Sequence, residues 1–164
     1  MAANGGMVDY FLKLDGIEGE SLDSKHKNTI ELMSWSFGAN QSGSAHSGGG
    51  AGVGKVHLQD FHVVKSVDKA SPKLLLACAN GEHIKQATLI ARKAGKEQQE
   101  YLKIVLSDVL VSSYNNSGNG TILPTEEVSL HYGKIEVEYK EQKTDGSLGG
   151  VIKAGWNAKE NKAV

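Results

Sequence analysis

Between two β-type runs of this chain lies GANQSGSAHSGGGAGVGK, residues 38–55, and seven of the seventeen residues from Gly38 to Gly54 are glycine. Almost everything else in it is small or polar, so the segment has no hydrophobic face of its own to bury. Ordering so much glycine is also costly, because glycine loses more backbone freedom than any other residue. The stretch therefore reads as a long loop projecting from a compact β domain. Connections of this length are uncommon in small domains and are usually functional or disordered. The core has to be closed without it.

A phosphate cradle is the sharpest chemical reading of this segment. Gly49, Gly54 and Lys55 satisfy the first part of GxxxxGK[ST], but the next residue is Val56, which has no hydroxyl to hold magnesium. A nucleotide loop must also lead into a helix whose N-terminal amides help to hold the anion. Here the chain continues as KVHLQDFHVV, which alternates like a strand. The match to a P-loop is accidental, and an assembly or binding loop is the better reading.

The remaining sequence narrows the class. A length of 164 residues is natural for one domain with a proper core, here taken as residues 1–164 with 1–7 and 158–164 as flexible ends. The formal net charge of −1 gives no electrostatic case for nucleic acid or an anionic membrane. No apolar run approaches a transmembrane length, and MAANGGMVDY lacks the basic and apolar parts of a secretory signal, so cytoplasmic folding is expected. Cys78 is the single cysteine and sits in the apolar run LLLACA, which predicts a small buried hydrophobe.

Strands dominate the pattern. Residues 8–14 alternate as a half-buried strand. Residues 29–38 form a second strand whose apolar phase shifts, with Ile30 and Leu32 on one face and Met33, Trp35 and Phe37 on the other. Residues 55–65 shift in the same way, and 128–140 shift at Gly133. Bulges at sheet corners explain such shifts, as does a wall covered by neighbouring subunits. Residues 100–114 are apolar on both faces, with Leu106 and Leu110 on one and Val109 and Val111 on the other. Residues 94–97 form the preceding hairpin turn. One short helix is predicted, with Ser71 as N-cap, Pro72 at the first helical position and Asn80-Gly81 as the stop. It is apolar nearly all round and should be covered. The expected fold is mainly β, a β-barrel built of two sheets with one short flanking helix.

No catalytic constellation emerges. Six histidines are present without HExxH or comparable ligand spacing; His57 and His62 are five apart, on opposite faces of a regular strand. There is no GxSxG elbow, the adjacent Glu126 and Glu127 point opposite ways, and Asp60 has no evident partner. No enzyme, cofactor or metal site is expected.

A series of short segments, in order along nearly the whole chain, carries a resemblance. They are YFLKL (10–14), GES (19–21), SWSF (34–37) leading into the glycine loop, GKV (54–56), SPKL (71–74) and RKAG (92–95), then YLKI (101–104), VLVSS (109–113), QKTDG (142–146) and GWN (155–157). Together they resemble Hcp, the haemolysin-coregulated protein of bacterial type VI secretion systems, over about residues 8–161. Phe37 stands where close relatives commonly carry tryptophan, a conservative departure.

The resemblance implies a phage tail-tube-like barrel that closes into a homohexamer. Its rings stack into the inner tube of a contractile injector, inside a sheath and behind a VgrG-type spike. Small effector proteins would be carried within the ring, and export would need no cleaved signal. On this reading Gln41, Ser42, Gly43, Ser44, His46, Gly48, Gly49, Gly50 and Val53 belong to the loop that reaches an adjacent subunit or ring. The small polar Ser34 and Ser36 are candidates for the lumen wall. The chain ends shortly after Trp156, so a plain structural member without a fused toxin domain is expected. The alternative is a stand-alone ligand- or carbohydrate-binding β-barrel using Trp35, Tyr114 and Trp156.

Overall fold

The computed structural model describes residues 8–43, 53–93 and 98–164. The first elements are β1 (Val8–Leu14), β2 (Ile30–Leu32), β3 (Ser34–Ser36), β4 (Ala39–Gly43), β5 (Val53–Leu58) and β6 (Phe61–Ser66). After them come the helix α1 (Ser71–Asn80), then β7 (His83–Lys93), β8 (Glu100–Ser117), β9 (Thr125–Gln142), β10 (Leu148–Asn157) and β11 (Lys162–Ala163). Nine strands form one antiparallel sheet in the order β11-β10-β9-β8-β7-β1-β2, with β6 also pairing β9 and β3 pairing β6; β4 and β5 form a separate ribbon. The fold is mainly β with one helix, as expected, but the ladder does not close into a barrel. The gap lies between β2 and β6, where Met33 N–H reaches Val64 O at 2.8 Å without a continuous strand pair.

The phase shifts read from the sequence are corners. At Met33 the chain leaves its pairing with β1 and takes up pairing with β6, so Ile30 and Leu32 are buried from one direction and Trp35 from another. At Gln59 and Asp60 it leaves the ribbon for the main sheet, which places His57 and His62 on different strands. A third corner runs across three strands at one level. Buried residues stand three apart instead of two in β7 (Ile84, Ala87), β8 (Leu106, Val109) and β9 (Tyr132, Ile135). The register places these interruptions opposite one another, Ser107 against Lys134 and Val109 against Tyr132. Asp108 makes the turn-over with φ 57, a left-handed conformation that short polar side chains tolerate. The shift puts Val109 and Val111, and not Leu110, in the core beside Leu106.

α1 closes one end of the core through Leu74 and Ala77. Its N-cap is Ala70, not Ser71. No side chain caps the first turn; Asp68 and Ser71 instead fix the chain just before it, Asp68 Oδ1 accepting Ala70 N–H at 2.9 Å and Ser71 Oγ accepting Asp68 N–H at 3.0 Å. Gly81 ends the helix in the left-handed conformation. Leu75 and Leu76 were expected to be covered, yet they are 54% and 59% exposed, because only one stripe of so short a helix can face the sheet. The segment after Asn157, expected to be flexible, folds back as β11 against Trp156 and Asn157. The 94–97 turn and residues 1–7 lie outside the described residues.

Beneath α1 lies a buried ion pair with no apparent signal in the sequence. Lys65 and Glu126 face each other across β6 and β9, both 0% exposed. Lys65 Nζ donates to Glu126 Oε2 at 2.6 Å, to Asp68 Oδ1 at 2.9 Å and to Ser71 Oγ at 3.4 Å. Burial works to raise the Glu126 carboxyl pKa, but hydrogen bonds from Lys65, Tyr114 and Ser71 outweigh it and hold the pKa below the usual range. A second pin joins the 18–28 loop to the sheet. The buried Arg92 grips both carboxylate oxygens of Asp23, at 3.0 and 2.7 Å, and lies over the Phe11 ring.

Two stability measurements follow from these pins. Lys65→Met leaves a buried carboxylate unpaired and is expected to cost about 3–5 kcal/mol in urea unfolding. The double change Lys65→Met/Glu126→Leu should recover most of that loss; a single variant as stable as the parent would contradict the pairing. For Asp23, hydrogen bonding to Arg92 lowers the pKa from 3.8 to about 2. A depressed carboxylate pKa adds stability above the unfolded value and loses it as pH falls through the folded one. The stability gap between the parent and Asp23→Asn should therefore include on the order of 1–2 kcal/mol that is present above about pH 4 and fades towards pH 2.

Candidate assembly surfaces

The glycine-rich segment is a hairpin at its base, where the sequence suggested loop. Ala39 pairs with Leu58, Asn40 with His57, Gln41 with Val56 and Gly43 with Val53, with a register shift between Gln41 and Gly43. Gln41, Ser42, Gly43 and Val53 therefore stand on paired strands. Ser44, His46, Gly48, Gly49 and Gly50 lie outside the described residues. The ribbon is rooted firmly. Gly38 O accepts Gln59 N–H at 2.8 Å, Tyr132 donates its hydroxyl to Gln59 O at 2.8 Å, and a Cβ on Gly38 would come within 2.8 Å of Gln59 Oε1. Trp35, Phe37 and Phe61 stack on one another beside this root, with Tyr10 edge-on to Trp35.

Ser34 and Ser36 are exposed on β3, on either side of the half-buried Trp35. The register extends them into a polar face four strands wide. Ser36 lies opposite His62, which lies opposite Ser129, which lies opposite Ser113. One row on, Ser34, Val64, Glu127 and Asn115 follow the same path. The opposite face of these strands carries Phe61, Val63, Val111, Val128 and Leu130, all buried, so the alternation forces the polar set outward. The serines were legible in the sequence, but the rest of the face was not, because its members come from strands up to about a hundred residues apart.

The edges of this four-stranded panel, ordered β3-β6-β9-β8, are unpaired among the described residues. β3 pairs only with β6, and β7 accompanies β8 no further than Leu110, opposite His83. Unpaired edges expose backbone donors and acceptors that another chain can satisfy. Exposed apolar side chains include Leu75 and Leu76 on α1 and Val151 and Ile152 on β10, and also Met33 before β3 and Val67, Ile122 and Leu123 where β6 ends and β9 begins.

Side chains on the polar face are hydrogen-bonded to one another. Asp60 accepts a hydrogen bond from Ser112 at 2.7 Å and pairs with His131 at 2.9 Å. Burial works to raise its pKa, but the Ser112 and His131 hydrogen bonds prevail and lower it. The carboxylate stands between the hydroxyl and the imidazole, so the imidazole is not the partner of the serine, in contrast to a nucleophile–base–orienter chain. His62 pairs with Ser129 Oγ at 3.0 Å. No group of three or more metal-ligating side chains occurs among the described residues. Trp35, Tyr114 and Trp156 each pack against the core, and Tyr114 donates its hydroxyl to Glu126. They do not present a shared aromatic platform. No helix among the described residues is long and apolar enough to cross a membrane.

Comparison with known proteins matches these features to one group. The family model described as "Type VI secretion system effector, Hcp" matches residues 11–139. The chain is 47% identical over 157 residues to protein hcp1 of Pseudomonas aeruginosa, an alignment covering 94% of this chain and 97% of that one. Hcp1 from Salmonella typhimurium superposes with a TM-score of 0.82 at 40% identity, covering 97% of this chain and 100% of the other. A further type six secretion system protein of known structure gives a TM-score of 0.89 at 32% identity, covering 95% and 99%. The chain belongs to the Hcp family of type VI secretion systems, a family of secreted structural tube proteins and not of enzymes.

Proposed function

We propose that this protein is the subunit of a hexameric ring and that the rings stack into the inner tube of a type VI secretion system. The observation that carries the reading is the four-stranded panel β3-β6-β9-β8, which has a polar outward face and an unpaired edge on each side. A head-to-tail contact sets β3 of one copy beside the distal half of β8 in the next. Such a heterologous contact is satisfied at every edge only when a ring closes. Six panels then form a lumen wall of hydroxyl, imidazole, amide and carboxylate groups, with Ser34 and Ser36 facing inward.

Small effector proteins ride in that lumen, held by short polar side chains that hydrogen-bond without a large apolar surface. The β4–β5 ribbon reaches the adjacent subunit or ring and supplies the main ring-to-ring contact. The tube moves within a contractile sheath behind a VgrG-type spike and leaves the cell without a cleaved signal peptide.

Native mass spectrometry with electron microscopy tests the assembly. The parent protein is expected as hexamers and open-centred rings that stack at high concentration. Replacing residues 43–53 by a two-residue Asn-Gly turn should leave hexameric rings that no longer form tubes. A strict monomer would overturn the ring reading, and unchanged tubes from the shortened protein would overturn the role of the ribbon. For the lumen, Ser36→Trp on the exposed β3 face should change the melting temperature little. It should abolish co-purification of effectors; full loading in this variant would remove Ser36 from the lumen wall.

A further inference from the structure

Away from the polar panel, a groove of about 930 Å³ runs between residues 15–29 and the outer surface of β1 and β7, reaching β8 and α1. Five lysines line it, Lys13 from β1, Lys25 and Lys27 from the loop, Lys73 from α1 and Lys103 from β8. All five are exposed, and none takes part in an ion pair among the described residues. Two carboxylates face them at one end, Asp15 and Glu18, and Glu18 is engaged by Lys69 at 3.7 Å. A chain whose net charge is −1 thus concentrates unpaired positive charge in one concave place. Asp15 and Glu18 share the groove and Lys103 stands across from Glu138 on β9, so what marks the place is the excess of five lysines over these acids.

The wall that carries Lys25 and Lys27 is built. Asp23 Oδ1 accepts the Lys25 and His26 N–H groups at 3.0 and 3.1 Å, and the buried Arg92 clamps Asp23. His26 stacks on Phe11 at 4.6 Å and bonds Glu100 at 2.5 Å. Asn28 turns with φ 64 and is tied at both ends, Asn28 N–H to Ser21 O at 2.8 Å and Gly19 N–H to Asn28 O at 2.9 Å. A Cβ on Gly19 would lie 2.4 Å from Thr29 O, so the close approach of these two segments requires glycine there. The ammonium groups are therefore displayed from a rigid frame, which lowers the ordering cost of binding.

We propose that this groove docks an extended acidic segment of a partner protein. Lysines are point charges without the planar fork that grips a phosphate in two places, and here they are spread over four elements, which suits carboxylates spaced along a peptide. Thr88 and the half-buried Ile90 lie in the floor between them, a place for an uncharged side chain between acids. The Asp15–Glu18 end repels a backbone of uniform negative charge but accepts a peptide whose charge varies along its length.

Fluorescence anisotropy on the purified protein in its native assembly state tests this. The probe is a labelled twelve-residue peptide of alternating Glu-Asp pairs and single leucines, titrated at low and at physiological salt. Binding is expected to weaken with salt, and Lys25→Glu/Lys27→Glu/Lys103→Glu should weaken it by about tenfold or more. A control, Lys134→Glu/Lys140→Glu/Lys162→Glu, carries the same change of charge outside the groove and should bind within about twofold of the parent. Thermal melts and native mass of both variants should match the parent. The docking site is overturned if the parent does not bind the peptide or if both triple variants lose binding equally. Tighter binding of polyphosphate or single-stranded DNA than of the peptide overturns the partner class.

Discussion

A sheet as wide as this one has to bury one face along its whole length, yet here it also has to turn. The constraint is met along a single line across β7, β8 and β9, where each strand carries its buried residues three apart, at Ile84 and Ala87, Leu106 and Val109, Tyr132 and Ile135. A shift in one strand alone would throw its neighbours out of phase, because side chains alternate with period two. Three coordinated shifts keep the core continuous. Asp108 supplies the left-handed residue, and its carboxylate is held by His83 and Lys159. Ala158 N–H closes the far end of the line on Gly133 O at 2.8 Å.

Everything of functional interest lies to one side or the other of that line. Beyond it, the distal parts of β8 and β9 leave β7 and β10 behind and join β6 and β3, which produces the polar panel with edges unpaired among the described residues. The Lys65–Glu126 pair sits under this panel and ties β6, β9 and the start of α1 together. Its location, more than its energy, is informative. Breaking such a buried pair is costly while replacing it whole often is not. On the near side, Arg92 holds the loop that forms the wall of the basic groove.

Much of the fold could be read from the residues. The strand runs, the helix with its Pro72 start and Gly81 stop, and the opposed directions of Glu126 and Glu127 all appear in the structure. The sequence also marked where phases shift, but left open whether corners or covering neighbours caused them. The partner of each strand shows the corners, and partners are set by contacts between distant segments. The ribbon was harder to see. Ala39–Gly43 has little β-propensity of its own, and its pairing with Val53–Leu58 comes with a root closed by Gly38, Gln59 and Tyr132.

The sequence by itself determined the class of the protein. Local alternation and turn chemistry act over a few residues and made it mainly β, the absence of ligand spacing argued against an enzyme, and the ordered short segments pointed to the Hcp family. It also placed Ser34 and Ser36 on a face turned away from Trp35. Only the tertiary structure decided what stands beside them: His62, Ser113 and Ser129 in one row, Lys65 against Glu126, and Lys13 in the same groove as Lys103. Such neighbours are fixed by strand register and by the line along which the sheet turns. Those are properties of many distant contacts made together, which no single stretch of the chain encodes.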